Sequence, residues 1–190
     1  MAGSGCASTR ERLVAAAVEH LEEEGLAAFS LREVARRAGV SHAAPVRHFD
    51  SKAALLTEVA TNGFEDLTEL LRHAARSIAA NDSDQTKRYV AVGTAYITFA
   101  RTRPELFALM CFHDDPRRPG RLDSVRRSTF RRMAEWCGGL ASDDVADWCG
   151  IHGLALVVSS GAAPSLTETD VRTALLRQAI LSNESPSPQR

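Results

Sequence analysis

Apolar residues recur at helical spacing along almost the whole chain, and no stretch alternates apolar and polar in the manner of a strand. Leu13, Val14, Ala17, Val18 and Leu21 share one helix face. Ser8 and Glu11 precede them as an S-x-x-E capping box, and Gly25 is expected to end that helix. Glu22, Glu23 and Glu24 crowd its carboxyl end, where negative charge opposes the helix dipole, and the sequence offers no reason for them. Ser30 and Glu33 repeat the capping box ahead of Leu31, Val34, Ala35 and Ala38, a face of two turns that Gly39 stops. Ser41 opens another short helix two residues later. Three short helices, the last two joined by a tight glycine-containing turn, make a helix-turn-helix pattern.

Asp50 or Ser51 then caps a much longer helix. Leu55, Leu56, Val59, Ala60, Phe64, Leu67, Leu71, Ala74, Ala75 and Ile78 hold one phase from 52 to about 80, roughly 40 Å at the α-helical rise. NDSD (81–84) breaks it. Tyr89, Val92, Tyr96, Ile97, Phe99 and Ala100 mark the next helix, Pro104 stops it and opens PELFALMCF, and HDDPRRPG (113–120) is a loop. A basic amphipathic helix follows with Val125, Phe130, Met133 and Trp136 on its apolar side. Ser142 caps a strongly apolar helix running to Gly161, and Thr167 with Asp170 begins the last, which carries Val171, Leu175, Ala179 and Ile180. SPSPQR is a frayed tail. The pattern predicts an all-α protein of about nine helices with no internal repeat.

Composition changes this picture little. The chain has 190 residues, 44% of them hydrophobic and 25% charged, with a net charge of -1. That is ordinary for a globular protein, so any preference for nucleic acid has to be local. It is local: Arg32, Arg36, Arg37, Arg47 and Lys52 stand against Glu33 and Asp50, a balance of +3 across residues 32–52. The four cysteines (Cys6, Cys111, Cys137, Cys149) form no CxxC pair, against a zinc site or a disulfide scaffold. The N-terminus has no apolar signal core and no stretch is long enough to span a bilayer, so a cytoplasmic protein without membrane contact is expected.

Pro45 inside GVSHAAPVRHFDSK sharpens the local reading. With Ser41 as N-cap, Pro45 falls at the end of the first turn, where it forfeits at most the bond to the Ser41 carbonyl. Ala43 and Ala44 let the backbone approach a surface. Ser41, His42, Arg47 and His48 supply donors for phosphates and base edges. A helix small on one side and basic on the other fits a major groove about 12 Å wide.

FSLREVARRAGVSHAAPVRHFDSKAALL (29–56) resembles the DNA-binding domain of TetR-type transcriptional regulators. Helices at 10–24, 31–38 and 42–48 match its three-helix head. PELFALMCF (104–112) and WCGIHGLALVVSSG (148–161), with Trp148, His152 and Gly153, resemble more loosely the WHG-type C-terminal domain of that family. The resemblance implies a DNA-binding domain over 1–51, a ligand-binding and dimerisation domain over 52–183 and a disordered tail over 184–190. It implies a ligand-responsive regulator, usually a repressor, that binds a palindromic operator in double-stranded DNA as a homodimer. Ser30, Arg32, Ser41, His42, Ala43, Arg47, His48 and Lys52 would face DNA, with Lys52 gripping a phosphate. Val46 stands where the family usually has a phosphate-contacting Tyr. Helices at about 143–161 and 168–183 would form the dimer interface, with Val157, Val158, Leu175, Ala179 and Ile180 as candidates for it and ordinary intrachain core the alternative for each. The long helix would carry the signal of an unidentified small-molecule effector.

Phe64, Phe99, Phe107, Met110, Phe130, Met133, Trp136 and Trp148 are aromatic and Met-rich enough to line a ligand site, with His113 and His152 to orient a ligand; ordinary core packing is the alternative for most of the eight, and a structural role for each histidine. Arg117, Arg118, Arg121, Arg126, Arg127, Arg131 and Arg132 form a second basic region, a solvated helix face or a contact for something acidic. No P-loop, G-x-G-x-x-G, metal-ligand spacing or nucleophile elbow is present, so neither an enzyme nor a bound cofactor is expected. Cys149 and His152 stand i, i+3 without a third group. A thiol-based redox regulator using Cys111, Cys137 or Cys149 is the alternative, with a helical carrier or enzyme behind it.

Overall fold

Nine helices account for the secondary structure among the described residues, which in this computed structural model are 7–78, 84–115, 120–137 and 145–184. They are α1 (Thr9–Ala28), α2 (Leu31–Arg37), α3 (Ala44–Phe49), α4 (Lys52–Ser77), α5 (Gln85–Thr102), α6 (Pro104–Phe112), α7 (Arg121–Trp136), α8 (Val145–Ser159) and α9 (Glu168–Glu184). The expected all-α class holds, and no strand occurs among the described residues. The Ser142 cap, most of the NDSD break, part of the 113–120 loop, Cys6 and the tail from 185 lie outside them.

The chain divides into two compact units, one of residues 1–63 and 105–125 and one of 64–104 and 126–190. We call them the head and the body. In the head, Leu13, Ala17, Leu21, Val34, Ala35, Phe49, Leu55 and Val59 form the core. Gly63 lets α6 come close: a Cβ there would lie 2.7 Å from the Met110 sulfur. In the body, α5 packs on α8 and α9. Gly93 is the seat for Leu175, whose Cδ2 lies 2.9 Å from the position of a Cβ.

The first capping box forms as expected, with the Ser8 N–H donating to Glu11 Oε2 at 2.7 Å and the Glu11 N–H donating to Ser8 Oγ at 3.2 Å. The second does not. The Ser30 side chain makes no cap bond. Glu33 is drawn instead to Arg36 and Arg37, whose Nε atoms donate to it at 2.8 and 2.9 Å, and the Ser30 N–H that it was to satisfy donates to Nε2 of buried His20 at 3.1 Å. Two guanidinium groups outcompete one backbone amide for a carboxylate. Gly25 breaks the helical backbone of α1 as expected, at φ +72° and ψ 170°, a conformation open essentially to glycine alone, and a last short helical stretch follows it to Ala28. The acidic end of α1 has its reason here: Glu22 accepts from the Leu106 N–H in the first turn of α6 at 3.2 Å, and Glu23 pairs with Arg37 at 2.6 Å. Carboxylates that oppose their own helix dipole thus serve the amino end of another helix and a neighbouring cation.

The long helix starts at Lys52, capped by Ser51 Oγ accepting from the Ala54 N–H at 3.0 Å, and runs to Ser77. Asp50 takes the left-handed backbone (φ +63°) that closes α3. Thr167 and Asp170 cap α9 reciprocally, the Asp170 N–H donating to Thr167 Oγ1 at 3.2 Å and the Thr167 N–H to Asp170 Oδ2 at 2.9 Å.

Candidate nucleic-acid interface

A six-residue helix does not persist in water alone, so α3 exists because the head holds it. Ala44, Pro45 and Phe49 are its buried side. The start differs from the expectation. Ser41 is not the N-cap: its carbonyl accepts from the Ala44 N–H at 2.9 Å in a turn, and Ala43 is the cap. Pro45 therefore sits in the first turn of a later-starting helix, where its missing N–H has no intrahelical bond to lose. His42, which the sequence placed in the helix, belongs to the turn before it.

The other side of α3 is bare. Ser41, His42, Ala43, Val46, Arg47 and His48 are all exposed, Val46 by 53%. The Arg47 guanidinium and the exposed Arg32 have no hydrogen-bond or ion-pair partner among the described residues. Ser30 is half-buried at the start of α2.

Not every expected positive charge is available. Arg37 is only 18% exposed and is divided between Glu23 and Glu33, and Arg36 is held by Glu33. The paired Arg36 and Arg37 keep the Glu33 carboxyl at about 2, far below its usual range. The +3 counted along residues 32–52 omits Glu23, which the fold brings in from α1; the cations without a carboxylate partner among the described residues are Arg32, Arg47 and Lys52. Lys52 is exposed but occupied: its Nζ donates to the Phe29 carbonyl at 2.7 Å and lies 5.3 Å from the Phe29 ring centre. The structure gives it a bond that ties α4 to the end of α1, in addition to any phosphate it meets.

In the body, four of the residues expected to line a ligand site come together with one that was not singled out for it. Phe64 meets Phe130 edge-on at 6.4 Å, Phe130 meets Trp148 at 3.9 Å, and Trp148 stacks on His152 at 4.4 Å. Tyr96 lies against both Trp148 and His152, its hydroxyl 3.0 Å from His152 Nδ1. Burial and the nearby Arg126 charge push the His152 pKa down, favouring the neutral ring. Thr68 and Thr129, also unforeseen, join hydroxyls at 3.1 Å beside this group, Thr129 being buried. Phe99 is buried with Arg103 at its ring, and Met133 is buried. Trp136 is half-buried. Phe107 and Met110 belong to the head, where both are buried. His113 is also a head residue, its Nε2 within 3.2 Å of Thr57 Oγ1 and of the Ala53 carbonyl. Only the aromatic character of Tyr96 signalled its place in the sequence; its partner His152 is distant along the chain.

Two of the expected interface residues are corrected. Leu175 and Ala179 are buried within the chain, Leu175 against Gly93. Among the described residues, the exposed large apolar side chains of α8 and α9 are Val157, Leu176, Ile180 and Leu181. Val158 is half-buried. Among the cysteines, Cys137 is buried, Cys111 half-buried and Cys149 exposed. No three His, Cys, Asp or Glu side chains among the described residues could hold a metal ion, and no described helix is long and apolar enough to cross a membrane.

Helices α1–α3, the third bare on one side and stiff at its start, form a helix-turn-helix, and the long α4 follows them in the chain. Residues 13–59 match the family of bacterial regulatory proteins, tetR family. The nucleoid occlusion factor SlmA of Vibrio vulnificus is 33% identical over 118 residues, 60% of this chain and 56% of that protein. The chain thus spans little more than half the length of such relatives. The HTH-type transcriptional regulator CymR of Pseudomonas putida is 29% identical over 145 residues, 73% of this chain and 71% of that one. A solved structure of a Rhodococcus sp. RHA1 protein of unknown function superposes with a TM-score of 0.74 at 29% identity, covering 94% of this chain and 97% of that one. Residues 13–59 thus belong to the tetR family of bacterial regulatory proteins, and the chain as a whole is similar to a regulator of that kind.

Proposed function

We propose that this protein is a transcriptional regulator that binds duplex DNA through α3, acts as a two-fold dimer and is released by a small-molecule effector. The observation that carries the reading is the bare face of α3: Arg47 stands exposed and unpartnered on a helix whose opposite side, Ala44, Pro45 and Phe49, is buried in the head. Arg47, Ser41 and His42 are donors for phosphates and base edges, and Ala43 admits a close approach. Ser30, Arg32, His48 and Lys52 complete the contact set. Val46 has no hydrogen-bond donor, so α3 makes its backbone contacts with the flanking residues.

In this reading residues 1–51 are the DNA-binding domain and 52–183 the effector and dimerisation domain, of the WHG type. The aromatic group of Phe64, Tyr96, Phe130, Trp148 and His152 receives the effector, and the exposed apolar residues of α8 and α9 meet the partner chain. The protein works in the cytoplasm, without catalysis. CymR is named a transcriptional regulator and is matched over more of its length than SlmA, which favours gene regulation over nucleoid occlusion.

The test is selection of bound duplexes from a random DNA pool. A palindromic motif, retained by the wild-type protein in a gel shift and lost by Arg47→Ala, is the expected result. Retention of no motif, or equal binding by the variant, rejects the assignment.

A further inference from the structure

The first turn of α1 carries a side chain that reaches the carboxyl end of α3. Arg10 donates from Nη1 to the His48 carbonyl at 2.9 Å, its guanidinium lies 4.3 Å from the centre of the Phe49 ring, and its Nη2 pairs with Glu58 Oε1 at 3.0 Å. One planar fork thus joins three helices: α1, which bears it, the carboxyl end of α3, and the second turn of α4.

We infer that Arg10 is a positioning residue for DNA recognition: it sets the seat of α3 by clamping its carboxyl end to Glu58 of α4. The inference rests on the DNA-binding reading above. Three features of the site support it. The His48 carbonyl lies in the last turn of α3, where helix carbonyls lack an intrahelical partner, and Arg10 supplies one. A cation at that end also complements the helix dipole. A helix of six residues has no stiffness of its own beyond its contacts, so its tilt follows the groups that hold its ends. At the amino end that is buried Ala44 and Pro45; at the carboxyl end it is Phe49 with Arg10 across its ring. The guanidinium fork makes the hydrogen bond, the ion pair and the ring contact at once, which an ammonium cannot. Glu58 sits in α4, so the clamp ties the carboxyl end of α3 to the helix that continues into the body.

Arg10→Gln, Glu58→Gln and the double variant are compared with wild type on the duplex that wild type selects from a random pool, over a range of salt. Arg10→Gln is expected to bind about tenfold more weakly, the size of one charge-assisted hydrogen bond, with the slope of log affinity against log salt unchanged. Glu58→Gln weakens binding less, and the double variant is no worse than Arg10→Gln, because both changes break one clamp. Amide exchange at Arg47 and Asp50 quickens in Arg10→Gln while α4 amides keep their protection. A salt slope reduced by about 0.9 would mean that Arg10 itself touches a phosphate, and would overturn the inference; so would additive effects in the double variant. Should wild type retain no duplex, the DNA-binding reading fails, and the exchange measurement still decides on the clamp: unchanged protection of α3 in Arg10→Gln rejects it.

Discussion

The Tyr96 hydroxyl and His152 Nδ1 lie 3.0 Å apart between α5 and α8, inside a group of rings that also holds Trp148 and Phe130. This pair is a polar contact within a cluster of aromatic rings. A neutral imidazole can accept the Tyr96 proton at Nδ1; an imidazolium can only donate there. Burial first and the Arg126 charge second disfavour the imidazolium.

The titration of His152 should follow. Its NMR midpoint is expected below the ordinary imidazole range. The folded chain then binds fewer protons than the unfolded one through that range, so stability falls as pH drops through it and levels off once folded His152 also protonates. His152→Gln is expected to flatten that part of the Tm-against-pH curve. A midpoint above the ordinary range would refute the burial argument.

Arg47 and Lys52 should separate when each is changed to alanine. Arg47 has no partner among the described residues, so Arg47→Ala leaves Tm within the range of a neutral surface change, about 0.5 kcal/mol, while the salt dependence of DNA binding loses about 0.9 from its slope. Lys52→Ala also removes the bond to the Phe29 carbonyl, and is expected to cost about 1–2 kcal/mol of stability as well. Equal melting of the two variants would show that the Lys52 bond contributes nothing.

The head was legible in the sequence because its signals are local. Leu13, Ala17 and Leu21 repeat at the helical period, Ser8 and Glu11 are three residues apart, and Gly39 and Ser41 mark the turn; each needs only its neighbours. The Ser30–Glu33 box looked equally local and failed because the competitors for Glu33 include Arg37, itself shared with Glu23 fourteen residues before it, and because His20 takes the Ser30 N–H. The same limit applied to the candidate sites. Exposed Arg47 was readable from one short segment. That Arg37 is spent on Glu23, that Tyr96 meets His152 and that Leu175 fills the space over Gly93 depend on residues distant in sequence, which periodicity cannot pair.

Glu33 should make the head sensitive to strong acid. Its carboxyl, held at about 2 by Arg36 and Arg37, binds fewer protons in the folded chain than in the unfolded one. Its contribution is therefore present above the ordinary carboxylate range and is lost as pH falls through that range toward about 2. Glu33→Gln is expected to lower Tm at neutral pH and to approach wild type near pH 2. A constant difference across the whole range would assign the effect to packing.

Gly93 and Leu175 should behave as one unit. A Cβ at 93 would stand 2.9 Å from Leu175 Cδ2 and 3.1 Å from Cδ1, so Gly93→Ala overpacks the α5–α9 contact and is expected to cost about 1–3 kcal/mol. Leu175→Ala, fully buried, is expected to cost about 2–5 kcal/mol. The double variant trades one methyl for part of the lost side chain, and its cost should fall below the sum of the two. Denaturant melts of the four proteins measure this, and strict additivity would mean that the contact tolerates the added methyl by shifting the helices.

Ile180 and Leu181 provide the last test, because they separate the fold from the assembly. They are 51% and 65% exposed near the carboxyl end of α9, while Leu175 and Ala179 on the same helix are buried within the chain. Isolated exposed apolar residues are common, but Val157 and Leu176 add to the exposed apolar area of α8 and α9. If a second copy covers this face, Ile180→Glu with Leu181→Glu places charge where a partner must desolvate it, and the protein becomes monomeric at micromolar concentration in sedimentation analysis. Because neither side chain is part of the intrachain core, the double variant keeps the helical signal and core packing of the wild-type chain. DNA affinity then drops steeply, since two α3 helices about 34–36 Å apart are needed to read both halves of a palindrome. A variant that stays dimeric would move the interface away from these residues, and one that unfolds would return them to the core.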